Sequence, residues 1–146
     1  MTYRLLPHTA DLKIEVFDKT LKSAFKESAL ALIKTMSEGI EIMPKKSISI
    51  KAKGNNKEDL FVSFLGEFLF LFDAKRFIAS DIKSLKIKDN KLEAVVLGDS
   101  ADKYDFSNKV KAITYNQLSV SKNKAGYKIV FVVDVWMLLR TSLELP

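Results

Sequence analysis

The chain has 146 residues, no cysteine and one histidine, and its 24 basic and 18 acidic residues leave a formal charge of +6. The missing cysteines exclude disulfides, thiolate zinc sites, iron–sulfur clusters and a cysteine nucleophile, and His8 alone excludes a site built on two imidazoles from one chain. The length suits one domain, 47% apolar and 29% charged residues describe a folded chain, and a bound metal is expected to be a hard ion such as calcium, magnesium or manganese.

Residues 12–17 alternate, with Leu12, Ile14 and Val16 apolar, and predict a half-buried strand. Asp18-Lys19-Thr20 reads as a turn and helix start. Leu21, Ala24, Phe25, Ser28, Ala29, Leu32, Ile33 and Met36 then form one helical stripe, with Gly39 as a stop. Ser47 to Lys53 alternates again. Gly54-Asn55 makes a turn and Asn56 can cap a second helix, whose first turn carries Glu58 and Asp59. Leu60, Phe61, Phe64, Leu65, Phe68, Leu71 and Phe72 share one broad face of that helix, which makes it the centre of the core.

Strand-like segments follow at 77–88, 91–97, 109–121 and 127–135, with turns at Asp89-Asn90 and near 123–126. Residues 98–108 read as a polar loop. The order β-α-β-α-β-β-β-β predicts an α+β single domain: two amphipathic helices packed on a mostly antiparallel or mixed sheet. No glycine-rich strand-to-helix loop is present, so neither a P-loop nor a dinucleotide site is expected. The N-terminus does not read as a signal peptide. The apolar run from Leu60 to Phe72 is interrupted by Glu67 and is too short for a membrane span of about 20 residues. A cytoplasmic location is expected.

Four features could carry chemistry. His8-Thr9-Ala10-Asp11 is either a turn with an Asx-type cap or a carboxylate held at a strand end for a hard cation. Asp134 ends the run Ile129-Val130-Phe131-Val132-Val133, either as an exposed strand end or as a carboxylate that needs a partner against desolvation. Spacing alone does not bring Asp11 and Asp134 together. Lys111 alternates onto the solvent side of its strand, where an ammonium near carboxylates could contact phosphate. Glu67 falls at the edge of the apolar stripe, where a glutamate is ordinarily solvated. Two lysine stretches contain no acid: Lys45, Lys46, Lys51, Lys53 and Lys57 within 42–57, and Lys109, Lys111, Lys122, Lys124 and Lys128 within 106–133. They suit RNA, an acidic partner or plain solubility, and the absence of an aromatic–basic motif argues against base-specific reading.

These residues resemble the archease family. The resemblance rests on His8-Thr9-Ala10-Asp11, on Thr20-Leu21 with Ala24-Phe25 and Ala29-Leu30-Ala31, and on Asp59-Leu60-Phe61-Val62 through Glu67 to Asp73. It continues in Val110-Lys111-Ala112-Ile113-Thr114-Tyr115 and Val132-Val133-Asp134-Val135. It spans about residues 3–135, so 1–135 is taken as the archease-like domain and 136–146 as a non-native or disordered extension.

The resemblance implies a non-catalytic activator of the RNA ligase that seals tRNA exons, which promotes guanylylation of the ligase's histidine and multiple turnover. It implies a divalent-cation site, with Ca²⁺ the expected ion, at Asp11, Asp134 and Val135, and partner-activating roles for Lys111, Glu67 and His8. RNA would be met through the ligase complex. Where many family members carry a histidine after Thr114-Tyr115, this chain has Asn116. Family chains commonly end after the last strand's Asp-Val pair. Eleven residues follow Val135 here, so its backbone carbonyl rather than a terminal carboxylate would ligate, and weaker cation binding is expected. Two other readings stand beside this one: a general RNA-binding or chaperone-like module using the lysines, and a metal-dependent hydrolase built on Asp11, Asp134 and Glu67.

Overall fold

The computed structural model describes residues 7–106 and 110–138, without the side chains of 7–9 and 137–138. The elements run β1 (Pro7–Asp18), α1 (Leu21–Met36), β2 (Lys46–Lys53), α2 (Lys57–Lys75), β3 (Phe77–Lys88), β4 (Lys91–Ser100), a 3₁₀ turn (Ala101–Lys103), β5 (Val110–Asn123) and β6 (Gly126–Leu138). The strands divide into two three-stranded sheets, ordered β1-β6-β5 and β2-β4-β3, with every pairing antiparallel. We call them sheet 1 and sheet 2. Each helix touches strands of both sheets.

Local chemistry sets the boundaries. Thr20 caps α1 by accepting from the Ser23 N–H at 3.1 Å, and Asn56 caps α2 by accepting from the Asp59 N–H at 2.8 Å. Helix α1 ends at Ser37, followed by Glu38 and Gly39 in left-handed conformation (φ 56° and 77°). Asp89 and Asn90 both take positive φ (52° and 57°), the mirror-image turn whose twist suits a two-residue hairpin. Asn123 closes the β5–β6 turn by accepting from the Ala125 and Gly126 N–H groups at 2.8 and 3.0 Å. Gly126 lies against the backbone of Asp18, where a Cβ would collide.

The buried stripes are those expected from periodicity. Ala24, Phe25, Ser28, Ala29, Leu32, Ile33 and Met36 are buried on α1, and Leu60, Phe61, Phe64, Leu65, Phe68, Leu71 and Phe72 on α2. Phe61 is the junction. Its ring centroid lies 5.2 Å from Phe25 of α1 and 5.0 Å from Phe131 of β6, both edge-on.

Three expectations need correction. Residues 8–11 are not a turn: β1 begins at Pro7, because the long β6 supplies partners as far as Leu138. The polar run 98–108 is not a plain loop, since β4 continues to Ser100 and buries Asp99. Asp99 accepts from the Ser100 N–H (2.8 Å), the Tyr104 hydroxyl (2.8 Å) and Lys103 Nζ (3.1 Å), and the Tyr104 hydroxyl accepts from the Met43 N–H (3.0 Å). Burial alone would raise the Asp99 pKa, but these donors outweigh it and hold the carboxyl below its ordinary value. Finally, the segment set apart after Val135 begins inside the fold. Residues 136–138 continue β6 opposite Thr9, His8 and Pro7, while 139–146 and Lys109 lie outside the described residues.

Candidate functional site

The register of β1 against β6 decides the site. Ala10, Ile14 and Val16 alternate toward the core, and so do Ile129, Phe131, Val133 and Val135 of β6, while Leu12 shares their side of the strand but is 40% exposed. A slip of one residue would turn the apolar set of β1 outward while that of β6 stayed on the core, so burial pins the pairing. With that register Asp11 stands directly opposite Asp134 on the other face of sheet 1. Opposed side chains in such a pair have Cβ atoms about 4.5–5.5 Å apart.

Two carboxylates at this separation cannot both hold full charge comfortably. The Asp134 carboxyl, hydrogen-bonded to Asp11, and its charge raise the pKa of Asp11, with a contribution from desolvation. A shared proton relieves the repulsion, and a cation would relieve it too. Asp11 is exposed and Asp134 half-buried, so the pair opens to solvent.

Lys111 reaches the same neighbourhood through a bulge. Val110 pairs with Val135 and Ala112 with Asp134, which leaves Lys111 as the extra residue beside the Asp134 step. Its Nζ sits 4.6 Å from the ring centroid of Trp136. Trp136 follows Asp134 by two residues, shares its face and is 43% exposed. Trp136 lies beyond the segment that carries the family resemblance, and the signal that marks it is an aromatic residue two positions after a strand carboxylate.

The other candidate residues lie elsewhere. The Val135 side chain is buried in the core opposite Ala10, so only its backbone could face a ligand. His8 pairs with Met137 along the strands, and its side chain lies outside the described residues. Glu67 lines an open cleft of ≈ 670 Å³ with Ser63 of α2, Lys51 and Lys53 of β2, and Lys91 and Glu93 of β4. It does not join Asp11 and Asp134. The three-carboxylate arrangement required by the hydrolase reading is therefore not assembled.

The donor set suits a hard cation in part. Two opposed carboxylates supply charge and oxygen ligands, but no group of three His, Cys, Asp or Glu residues able to hold a metal occurs among the described residues. Such a site needs backbone carbonyls, water or an outside group to complete it.

Comparison with known proteins fits this geometry into a family. The Archease protein family matches residues 3–135 of the chain. The chain belongs to the archease family. Protein archease of Methanosarcina barkeri is 31% identical over 139 residues, which cover 91% of this chain and 95% of the relative. Protein archease of Pyrobaculum neutrophilum is 32% identical over the same shares. The solution structure of protein 1598 from Methanobacterium thermoautotrophicum superposes with a TM-score of 0.63 at 20% identity, covering 88% of this chain and 97% of that one. The crystal structure of a Thermotoga maritima archease, described as a "possible chaperone", gives 0.56 at 18% identity and covers 92% and 95%. Both share the archease fold. No helix among the described residues is long and apolar enough to cross a membrane.

Proposed function

We propose that this archease is a non-catalytic protein cofactor that activates a tRNA-splicing RNA ligase, promoting guanylylation of the ligase's histidine and multiple turnover. The observation that carries the reading is the Asp11–Asp134 pair, two carboxylates directly opposed on an exposed face with Lys111 beside them. Such a pair is an incomplete site, which a partner can complete. Asp11 and Asp134, with the Val135 carbonyl, would hold a divalent cation, with Ca²⁺ the proposed ion. When bound, that ion would supply positive charge for phosphate oxygens. The chain's own contribution is positional. Sheet 1 holds both carboxylates on a packed core, so their separation survives docking and little ordering cost is added at the partner. Lys111 offers a cation within the same surface, and Trp136 steadies it.

The experiment is ligation of broken tRNA by the cognate ligase, with and without the chain. Wild type should stimulate the ligase and do nothing alone. Asp11→Asn and Asp134→Asn should each lower stimulation by more than tenfold while melting as folded proteins. Ligation by the chain alone, or full stimulation by both variants, overturns the reading.

A further inference from the structure

Sheet 2 carries a second, unassigned surface. Its inner face packs Ile50, Ile82, Leu85, Leu92, Ala94 and Val96 against the helices. The lysines of its outer face are exposed, and at one edge Lys51, Lys53 and Lys91 also line the cleft that Glu67 of α2 enters. On that face Lys53 of β2 stands opposite Lys91 of β4, and Lys91 stands opposite Lys88 of β3. Two residues along, the next row is Lys51, Glu93 and Lys86, and the row after that is Ser49, Val95 and Ser84. All five lysines are exposed. Glu93 is the one acid in these three rows, and its contact with Lys51 is a long 3.9 Å. A trough of ≈ 280 Å³ along this face is lined by Ser49, Lys51, Ser84, Lys86, Glu93 and Val95 among others.

Like charges directly opposite each other destabilise a sheet. Three lysines in one cross-strand row are a local cost that this fold carries without a compensating acid in that row. Neighbouring strands lie about 4.8 Å apart and alternate residues about 6.8 Å apart, so the lysines spring from closely and regularly spaced backbone positions, and their ammonium groups can reach successive anions. A ligand suited to them bears many negative charges at regular short intervals. The outer rows contain no aromatic residue and no arginine, the side chains that anchor protein interfaces, whereas lysine is depleted there. They also contain no stacking platform for bases.

We propose that the outer face of sheet 2 binds the phosphate backbone of RNA without sequence preference. The proposal stands independently of the ligase reading, because it concerns the chain alone. It departs from the linear lysine stretches. Lys86, Lys88 and Lys91 belong to neither, and strand pairing brings them beside Lys51 and Lys53.

The test is an anisotropy titration of a labelled single-stranded RNA of mixed sequence against the full chain at several salt concentrations. Five phosphate contacts give a slope of log K against log salt of about −3.5, since each contributes about −0.7 on a single strand. The variant Lys53→Gln, Lys88→Gln, Lys91→Gln should keep two contacts and a slope of about −1.4. A charge-matched control, Lys19→Gln, Lys22→Gln, Lys34→Gln, should keep the wild-type slope. Thermal melting confirms that both variants are folded. The proposal is overturned if the wild type fails to bind RNA at low salt, or if the row variant keeps its slope. Equal loss in the control overturns it too, since net charge rather than the face would then be responsible. So does an acidic peptide that binds more tightly than RNA of equal charge and is lost in the row variant, an outcome that assigns the face to a protein.

Discussion

The outer faces of the two sheets set up the same electrostatic problem and resolve it differently. On sheet 1, Asp11 opposes Asp134; on sheet 2, Lys53 opposes Lys91, which opposes Lys88. The acidic pair is a point. Two carboxylates can share one proton or one cation, and the rise in the Asp11 pKa caused by Asp134 records the pressure to do so. The basic row is a line. Three ammonium groups have donors only and cannot share anything, so they need anions from outside, spaced as they are. A single cation fits the first arrangement and a polymer of anions fits the second. Each face is the back of a surface packed on the helices, so the two can diverge in charge while the core holds both in register.

The largest expected effect comes from breaking what the faces share. Phe61 joins α1, α2 and β6 through its contacts with Phe25 and Phe131 and is fully buried. Phe61→Ala should cost about 3–5 kcal/mol, through lost burial and the cavity left behind. A denaturant melt should show a lower midpoint with little change in slope. Both ligase stimulation and RNA binding should fall together near the new transition. A midpoint within experimental error of wild type would deny Phe61 its role as the junction.

A smaller effect, but a sharper test of the contrast, comes from neutralising one member of each like-charged set. Asp11→Asn removes the repulsion with Asp134 and should raise the melting temperature in metal-free buffer while abolishing stimulation of the ligase. Lys91→Gln removes the centre of the lysine row. It should alter stability by no more than about 0.5 kcal/mol, in the stabilising direction and less at high salt, while weakening RNA binding. Opposite signs for stability and function in both variants would identify both arrangements as functional. A loss of stability in both would mean that the opposed charges are held apart by side-chain rotation and carry no repulsion.

Much of this was legible in the sequence because burial repeats with the period of the backbone. The two helical stripes and the caps at Thr20 and Asn56 follow from local spacing and side-chain chemistry. Asp11 and Asp134 were each visible as unusual carboxylates. Their meeting was not, because register between the two ends of the chain depends on a pairing that no local pattern encodes. The lysine rows were hidden for the same reason, as a row runs across three strands and is scattered along the chain. Asp99 hides in a run of polar residues that looks solvated, whereas its partners Tyr104, Lys103 and the Ser100 N–H satisfy the carboxylate inside the fold.

The smallest predicted effect lies between the two faces, where sheet 1 meets α2. The Tyr115 hydroxyl donates to Asp59 Oδ1 at 2.5 Å, and the Asn55 N–H donates to Asp59 Oδ2 at 2.9 Å. Tyr115, then Asn55, lower the Asp59 pKa below the ordinary carboxylate value, and Asp59 in turn raises that of Tyr115. A depressed acid contributes stability above its unfolded value and loses it as pH falls through the folded one. A raised phenol contributes stability below its unfolded value and loses it as pH climbs through the folded one. The stability difference between wild type and Tyr115→Phe should therefore be flat near neutrality and shrink in acid, below the ordinary carboxylate range. It should shrink again in alkali, above the ordinary tyrosine range. Chemical denaturation across pH measures it, and a difference that stays constant from acid to alkali would show that Tyr115 acts by packing alone. The same variant should leave RNA binding by sheet 2 unchanged, because the Tyr115–Asp59 bond ties α2 to sheet 1 and touches none of the lysine rows.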